Sequence, residues 1–97
     1  MITWLRAAMS CSSEHLRAAY LFGSVLDPKR KPRDVDVVLV TVDRAGRPGW
    51  LNIRRWRDHL AQEFEDRFHI PLSAMVVTPS EWAEIESVVI GQRESLF

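Results

Sequence analysis

The chain has 97 residues, 46% of them apolar and 27% charged, and its 13 Lys and Arg are balanced by 13 Asp and Glu. That length holds one hydrophobic core, so the expectation is a single domain over residues 1–97. Cys11 is the sole cysteine, which excludes an internal disulfide or a thiolate metal cluster and points to a reducing, cytoplasmic compartment.

At the N-terminus, Ile2, Trp4 and Leu5 are interrupted by Thr3 and Arg6, a pattern of neither a signal-peptide core nor a membrane span. Residues 1–57 carry eleven Lys/Arg against five Asp/Glu, and residues 58–97 carry two against eight. A basic half suits a polyanionic ligand, unless folding interleaves the two halves.

Ile2, Leu5 and Met9 recur at helical spacing, so 2–10 reads as a first helix, followed by turn chemistry at Ser12, Ser13 and Glu14. Residues 15–23 are too short and too evenly apolar for a surface helix; they read as a buried strand ending at Gly23. A helical turn at 24–26 and an exposed loop at 27–33, containing Pro28 and Pro32, follow.

The segment 34–42, DVDVVLVTV, is dense in β-branched residues and apolar on both faces after its aspartates. Such a strand belongs in the middle of a sheet covered by helices. Gly46, Pro48 and Gly49 mark 43–49 as a turn. The longest helix is expected over 50–69, with Ile53, Trp56, Leu60, Phe64 and Phe68 on one stripe and i,i+4 pairs Arg54–Asp58 and Glu63–Arg67. After Pro71, 72–78 reads as a third strand, and Pro79-Ser80 opens a last helix around 81–89 that stops near Gly91.

Asp34 and Asp36 stand two apart on a strand, so their carboxylates share a face about 7 Å apart along the backbone. Two carboxylates so close repel unless a cation bridges them, and oxygen-only ligation selects a hard ion such as magnesium. Solvated aspartates at a strand mouth are the plainer alternative. Gly23-Ser24 offers backbone N–H groups and a hydroxyl to a phosphate, or is simply a strand-ending turn. The chain order gives the two signals joint meaning: strand, Gly-Ser, basic loop, then a strand opening on two carboxylates.

The stretch LFGS (21–24), nine intervening residues and DVDVVLV (34–40) resembles the minimal nucleotidyltransferases of the polymerase beta-like superfamily. Their signature is an apolar residue, Gly-Ser, a gap of about ten residues and Asp-x-Asp. The resemblance spans nearly the whole chain, from the helix before LFGS to PLSAMVVTPSEW running into a last helix. It implies an α/β (α+β) sandwich on a mixed sheet of at least three strands flanked by helices. In it Asp34 and Asp36 hold Mg2+ or Mn2+, and Gly23 and Ser24 hold the phosphates of ATP or another nucleoside triphosphate. The implied reaction is nucleotidyl transfer, AMP from ATP, onto an acceptor hydroxyl of a protein, nucleic acid or small molecule; nothing in the sequence selects a nucleic acid.

Lys29, Arg30, Lys31 and Arg33 would neutralise the triphosphate, or form an ordinary wet loop. Members usually carry a third carboxylate on the third strand, where this chain has Ser73; a neutral hydroxyl there lowers metal affinity and rate. Similar enzymes pair with a separate all-helical partner in prokaryotic two-component, toxin–antitoxin-like modules. The alternative expectation is therefore a weak or inactive subunit that binds and regulates such a partner. His15, His59 and His69 lack metal-ligand spacing and are expected as surface or structural residues. Trp56 and Trp82 are expected to pack, Trp50, following Pro48-Gly49, is the candidate for exposure, and Cys11 is expected to have no role.

Overall fold

The computed structural model describes residues 1–10, 15–23, 34–42, 46–89 and 93–96. Helix α1 (Ile2–Ser10) leads into β1 (Leu16–Phe22), then β2 (Val35–Thr41), α2 (Gly46–Phe68), β3 (Leu72–Val77), α3 (Pro79–Val89) and β4 (Arg93–Ser95). The four strands form one mixed sheet in the order β3-β2-β1-β4. β2 is antiparallel to β1 and parallel to β3, while β4 is antiparallel to β1. The protein is thus a small α+β domain whose most apolar strand, β2, is interior to the sheet, where its two faces can both be covered.

Alternation along the strands sorts the side chains into two faces. On one lie Leu16, Ala19, Leu21, Val35, Val37, Leu39 and Leu72, closed over by Leu5 and Met9 of α1 and Ile53, Leu60 and Phe64 of α2. Leu16 and Ala19 share this face although three apart, because the pairing slips by one residue between Leu16 and Ala18. The extra residue is Arg17, a β-bulge that turns the strand's side chains over. The opposite face carries Val38, Val40 and Val77 under Trp82 of α3, with Ala18, Tyr20, Phe22 and Ile85 at the margin.

Helix ends follow local chemistry. α2 stops at Phe68 because His69 turns left-handed at φ 60° and closes the last turn with its N–H on the Glu65 carbonyl at 2.8 Å. A non-glycine residue there costs about 1–2 kcal/mol. α3 begins in a reciprocal cap: the Glu81 carboxylate accepts the Thr78 N–H at 2.9 Å, and the Thr78 hydroxyl accepts the Glu81 N–H at 3.3 Å. Pro79 fills the first helical position, where a missing N–H costs nothing.

Three expectations are corrected. The turn expected over 43–49 is helical from Gly46 onward; the first-turn N–H groups of a helix have no internal acceptor, so Pro48 does not oppose it. Asp58 pairs with its neighbour Arg57 at 3.3 Å, while Arg54 lies over the Trp50 ring at 4.8 Å and Arg67 over Phe68 at 5.6 Å. Aromatic faces compete successfully with solvated carboxylates for these guanidinium groups. Finally, the last helix is followed by a fourth strand, β4, three exposed residues without an apolar side chain. It is held by backbone pairing to β1, by Arg6 on Glu94 at 3.1 Å and by the following Leu96, whose N–H reaches the Ala19 carbonyl at 2.8 Å.

The tryptophans behave as packing residues. Trp4 meets Phe64 and Phe68 edge-on at 5.8 Å, Trp56 packs against the larger core, and Trp82 stacks on Tyr20 at 5.2 Å. His59 and His69 are exposed and His15 is half-buried. The change from basic to acidic sequence falls inside α2, so the two charge halves are joined along one continuous rod about 35 Å long.

Candidate functional site

One edge of the sheet gathers the end of β1 and the starts of β2 and β3. Antiparallel pairing sets Asp36 beside Phe22, and parallel pairing sets it beside Ser73 on the other flank. Paired residues of adjacent strands project from the same face, with backbones about 4.8 Å apart. Asp36 therefore shares a row with Ser73 and Phe22, on the face that also carries Val38 and Val40. Asp34 stands just before β2, two residues earlier. Its charge is one of the two influences that raise the Asp36 pKa above its ordinary value, the larger being burial of the Asp36 carboxyl.

Gly23 closes the mouth from the β1 side. Its φ is +87°, and a Cβ placed on it would meet Oδ2 of Asp36 at 2.7 Å. The first fact favours glycine, because the conformation is costly for an L side chain; the second means that any side chain at this position would make the Asp36 carboxylate turn aside. The Gly-Ser signal thus contains a constraint that sequence reading missed, since the glycine makes room for the aspartate as well as for any phosphate.

Among the described residues, the side chains of Asp34, Asp36 and Ser73 have no hydrogen-bond or ion-pair partner. Half-buried carboxylates in that state repel each other and favour a bound cation or a proton. The donor set is oxygen-only and carries two formal negative charges beside a neutral hydroxyl, which fits one hard divalent ion. Among the described residues no group of three or more His, Cys, Asp or Glu side chains converges on a point.

The structure brings Gly23, Asp34, Asp36 and Ser73 to one edge of the sheet. Ser24 and the basic residues Lys29, Arg30, Lys31 and Arg33 lie outside the described residues, as do the turn at 24–26, the loop at 27–33, Cys11 and the helix stop at Gly91. Glu63, Glu65 and Asp66 are exposed on α2, as a solvated helix face requires.

On this sheet face α3 packs through Trp82 and Ile85 onto the cluster of Val38, Val40 and Val77. Met75, two residues beyond Ser73 on β3, is 45% exposed. A depression of about 360 Å³ between β1 and α3, lined by Arg17, Tyr20, Val40, Trp82 and Glu86 among others, is a separate feature. It lies at the level of Val40, about 13 Å along β2 from Asp36. Beside it Arg93 is clamped over the Tyr20 and Trp82 rings at 4.9 and 5.3 Å and paired with Glu86 at 2.6 Å.

No protein-family model, curated protein or solved structure matches the chain.

Proposed function

We propose that the chain is a nucleotidyltransferase-type domain that moves a nucleotidyl group, AMP from ATP, onto an acceptor hydroxyl with a divalent cation, Mg2+ or Mn2+. The observation that carries this reading is the Gly23–Asp36 apposition beside Asp34: a left-handed turn that favours glycine, against one of two carboxylates that have no partner among the described residues. Asp34 and Asp36 would hold the cation, which supplies Lewis-acid stabilisation of phosphate oxygens when bound. Backbone N–H groups at Gly23 and Ser24 would donate to the phosphates. Lys29, Arg30, Lys31 and Arg33 would offset their charge. In the reaction the acceptor oxygen bonds to the α-phosphorus, the bond to the leaving pyrophosphate breaks, and the hydroxyl proton passes to solvent or to a nearby base.

Ser73 in register with Asp36 favours a second reading, in which the domain binds nucleotide or an all-helical partner protein without turning over. A hydroxyl neither offsets cation charge nor accepts a proton from an alcohol near neutral pH.

Calorimetry of ATP with Mg2+ tests the site itself. Wild type should bind, and the Asp34→Ala, Asp36→Ala double variant should not; equal binding by both rejects the metal-site reading. Incubation with α-labelled ATP and the product of the neighbouring gene then separates the two functions. Label on the neighbour supports transfer, whereas binding without label supports the regulatory subunit.

A further inference from the structure

We infer that the outer edge of β3 is an interface between two copies of this chain, which pair antiparallel across a two-fold axis and join their sheets into one. The inference goes beyond the nucleotidyltransferase reading and does not depend on it.

The two edges of the sheet are built differently. β4, at one edge, is the short segment Arg93–Ser95, and its charged side chains are held by Glu86 and Arg6. Short, charged edge strands resist further pairing. β3, at the other edge, is Leu72–Val77, LSAMVV, with no charge, proline or glycine, and its ladder to β2 runs without a bulge. That is an edge with none of the usual protection against a further strand. One hydrogen bond fixes where its backbone groups point: the Val35 N–H donates to the Pro71 carbonyl at 3.0 Å. Backbone groups of successive strand residues point to opposite flanks. Ser73, Met75 and Val77, in phase with Pro71, therefore turn theirs toward β2, and Leu72, Ala74 and Val76 turn theirs outward. Among the described residues no strand pairs with that flank.

Self-complementarity makes a second copy the fitting occupant. In antiparallel pairing centred on Ala74, that residue exchanges N–H and C=O bonds with its counterpart, and Leu72 does so with the copy's Val76. Met75, 45% exposed, then stands opposite the copy's Ser73, with no like charges opposed. Charge along α2 supplies an independent argument. α2 packs on β3 in the larger core, so a two-fold axis perpendicular to the sheet sets the two α2 helices on the same face, running antiparallel. In α2, Arg54, Arg55 and Arg57 precede Asp58, Glu63, Glu65 and Asp66, with Arg67 the exception. Antiparallel helices run the basic stretch of one copy beside the acidic stretch of the other, whereas a parallel arrangement would oppose like charges.

Sedimentation velocity of the full chain, from about 1 to 100 μM, tests this. Wild type should pass from monomer to dimer as concentration rises. Ala74→Pro removes an outward N–H and leaves the bonds to β2 intact, a change that edge strands tolerate. It should raise the dimer Kd roughly tenfold or more, since each copy loses a hydrogen bond. Glu65→Lys with Asp66→Lys, and separately Arg54→Glu with Arg55→Glu, should each weaken the dimer, and mixing the two variants should restore it as a heterodimer. Circular dichroism checks that each variant is folded; if Ala74→Pro is not, Met75→Lys, at an exposed position, replaces it with the same expected loss. A wild type that stays monomeric throughout overturns the inference. So does a dimer unaffected by the folded edge variant, or charge reversals that change nothing or fail to rescue each other.

Discussion

The two faces of the sheet differ in how they use the same strands. Toward α1 and α2 every strand of the β3-β2-β1 block contributes buried aliphatic side chains, and Phe64, fully buried, packs on Trp4 and Phe68. Toward α3 the core is four buried residues, and in the row of Ser73, Asp36 and Phe22 only Phe22, partly buried, packs against it among the described residues. The first face is organised for burial. The second is less buried at the end where two carboxylates stand that have no partner among the described residues. That division matches a general tendency for functional sites to sit where a rigid scaffold leaves polar groups incompletely satisfied.

The largest test of this contrast is a pair of truncations. Phe64→Ala should cost about 3–5 kcal/mol, the usual range for emptying an aromatic site in a packed core, and bring a domain of ordinary stability close to unfolding. Trp82→Ala should cost less, about 2 kcal/mol, because its surroundings are a smaller cluster able to collapse toward solvent. Urea unfolding measures both. An equal or greater loss for Trp82→Ala would show that the α3 face carries as much of the fold as the other.

A middle-sized effect is expected at Gly23. Gly23→Ala forces a side chain into φ +87° and against Asp36, costing about 1–2 kcal/mol from the backbone alone. Gly23→Asn relieves part of the backbone cost, since Asn tolerates the left-handed region, yet still places a Cβ against the carboxylate. Thermal unfolding should therefore rank Ala below Asn, while both variants lose Mn2+ affinity. Retained affinity in a folded Gly23→Asn would mean that the glycine serves the turn and not the aspartate.

The smallest effect has the opposite sign. Because the folded protein raises the Asp36 pKa, ionising Asp36 is harder in the folded than in the unfolded chain. The resulting destabilisation is absent below the ordinary value of 3.8, grows as pH rises toward the raised folded value, and is complete above it. Asp36→Asn in EDTA should accordingly raise Tm slightly at pH 7 and leave it unchanged at pH 3. A lower Tm at pH 7 would show that the carboxylate stabilises the fold, and the two faces would differ less than described.

Much of this arrangement was legible in the chain. The stripe from Ile53 to Phe68, the run rich in β-branched residues after Asp36 and the close of the first strand at Gly23 are local patterns, and each produced its element within a few residues. The start of α2 was misread because Gly46, Pro48 and Gly49 carry turn propensity, whereas a helix's first turn asks nothing of their N–H groups. β4 escaped because three polar residues have no period; long-range pairing to β1 and the buried Leu96 hold it. The carboxylate pair could be seen as a pair, but its lack of described partners and its contact with Gly23 could not.

By itself, the sequence determined α1, β1, β2, β3, α3 and all but the start of α2, that β2 is interior, and that two aspartates share a strand face, because these follow from periodicity and short-range sterics. Only the tertiary structure decided which side of the sheet is covered, the register that sets Ser73, the position the resemblance pointed to, beside Asp36, and that Gly23 lies against its carboxylate. Those facts depend on register between strands far apart in the chain, and register is set by how whole faces pack.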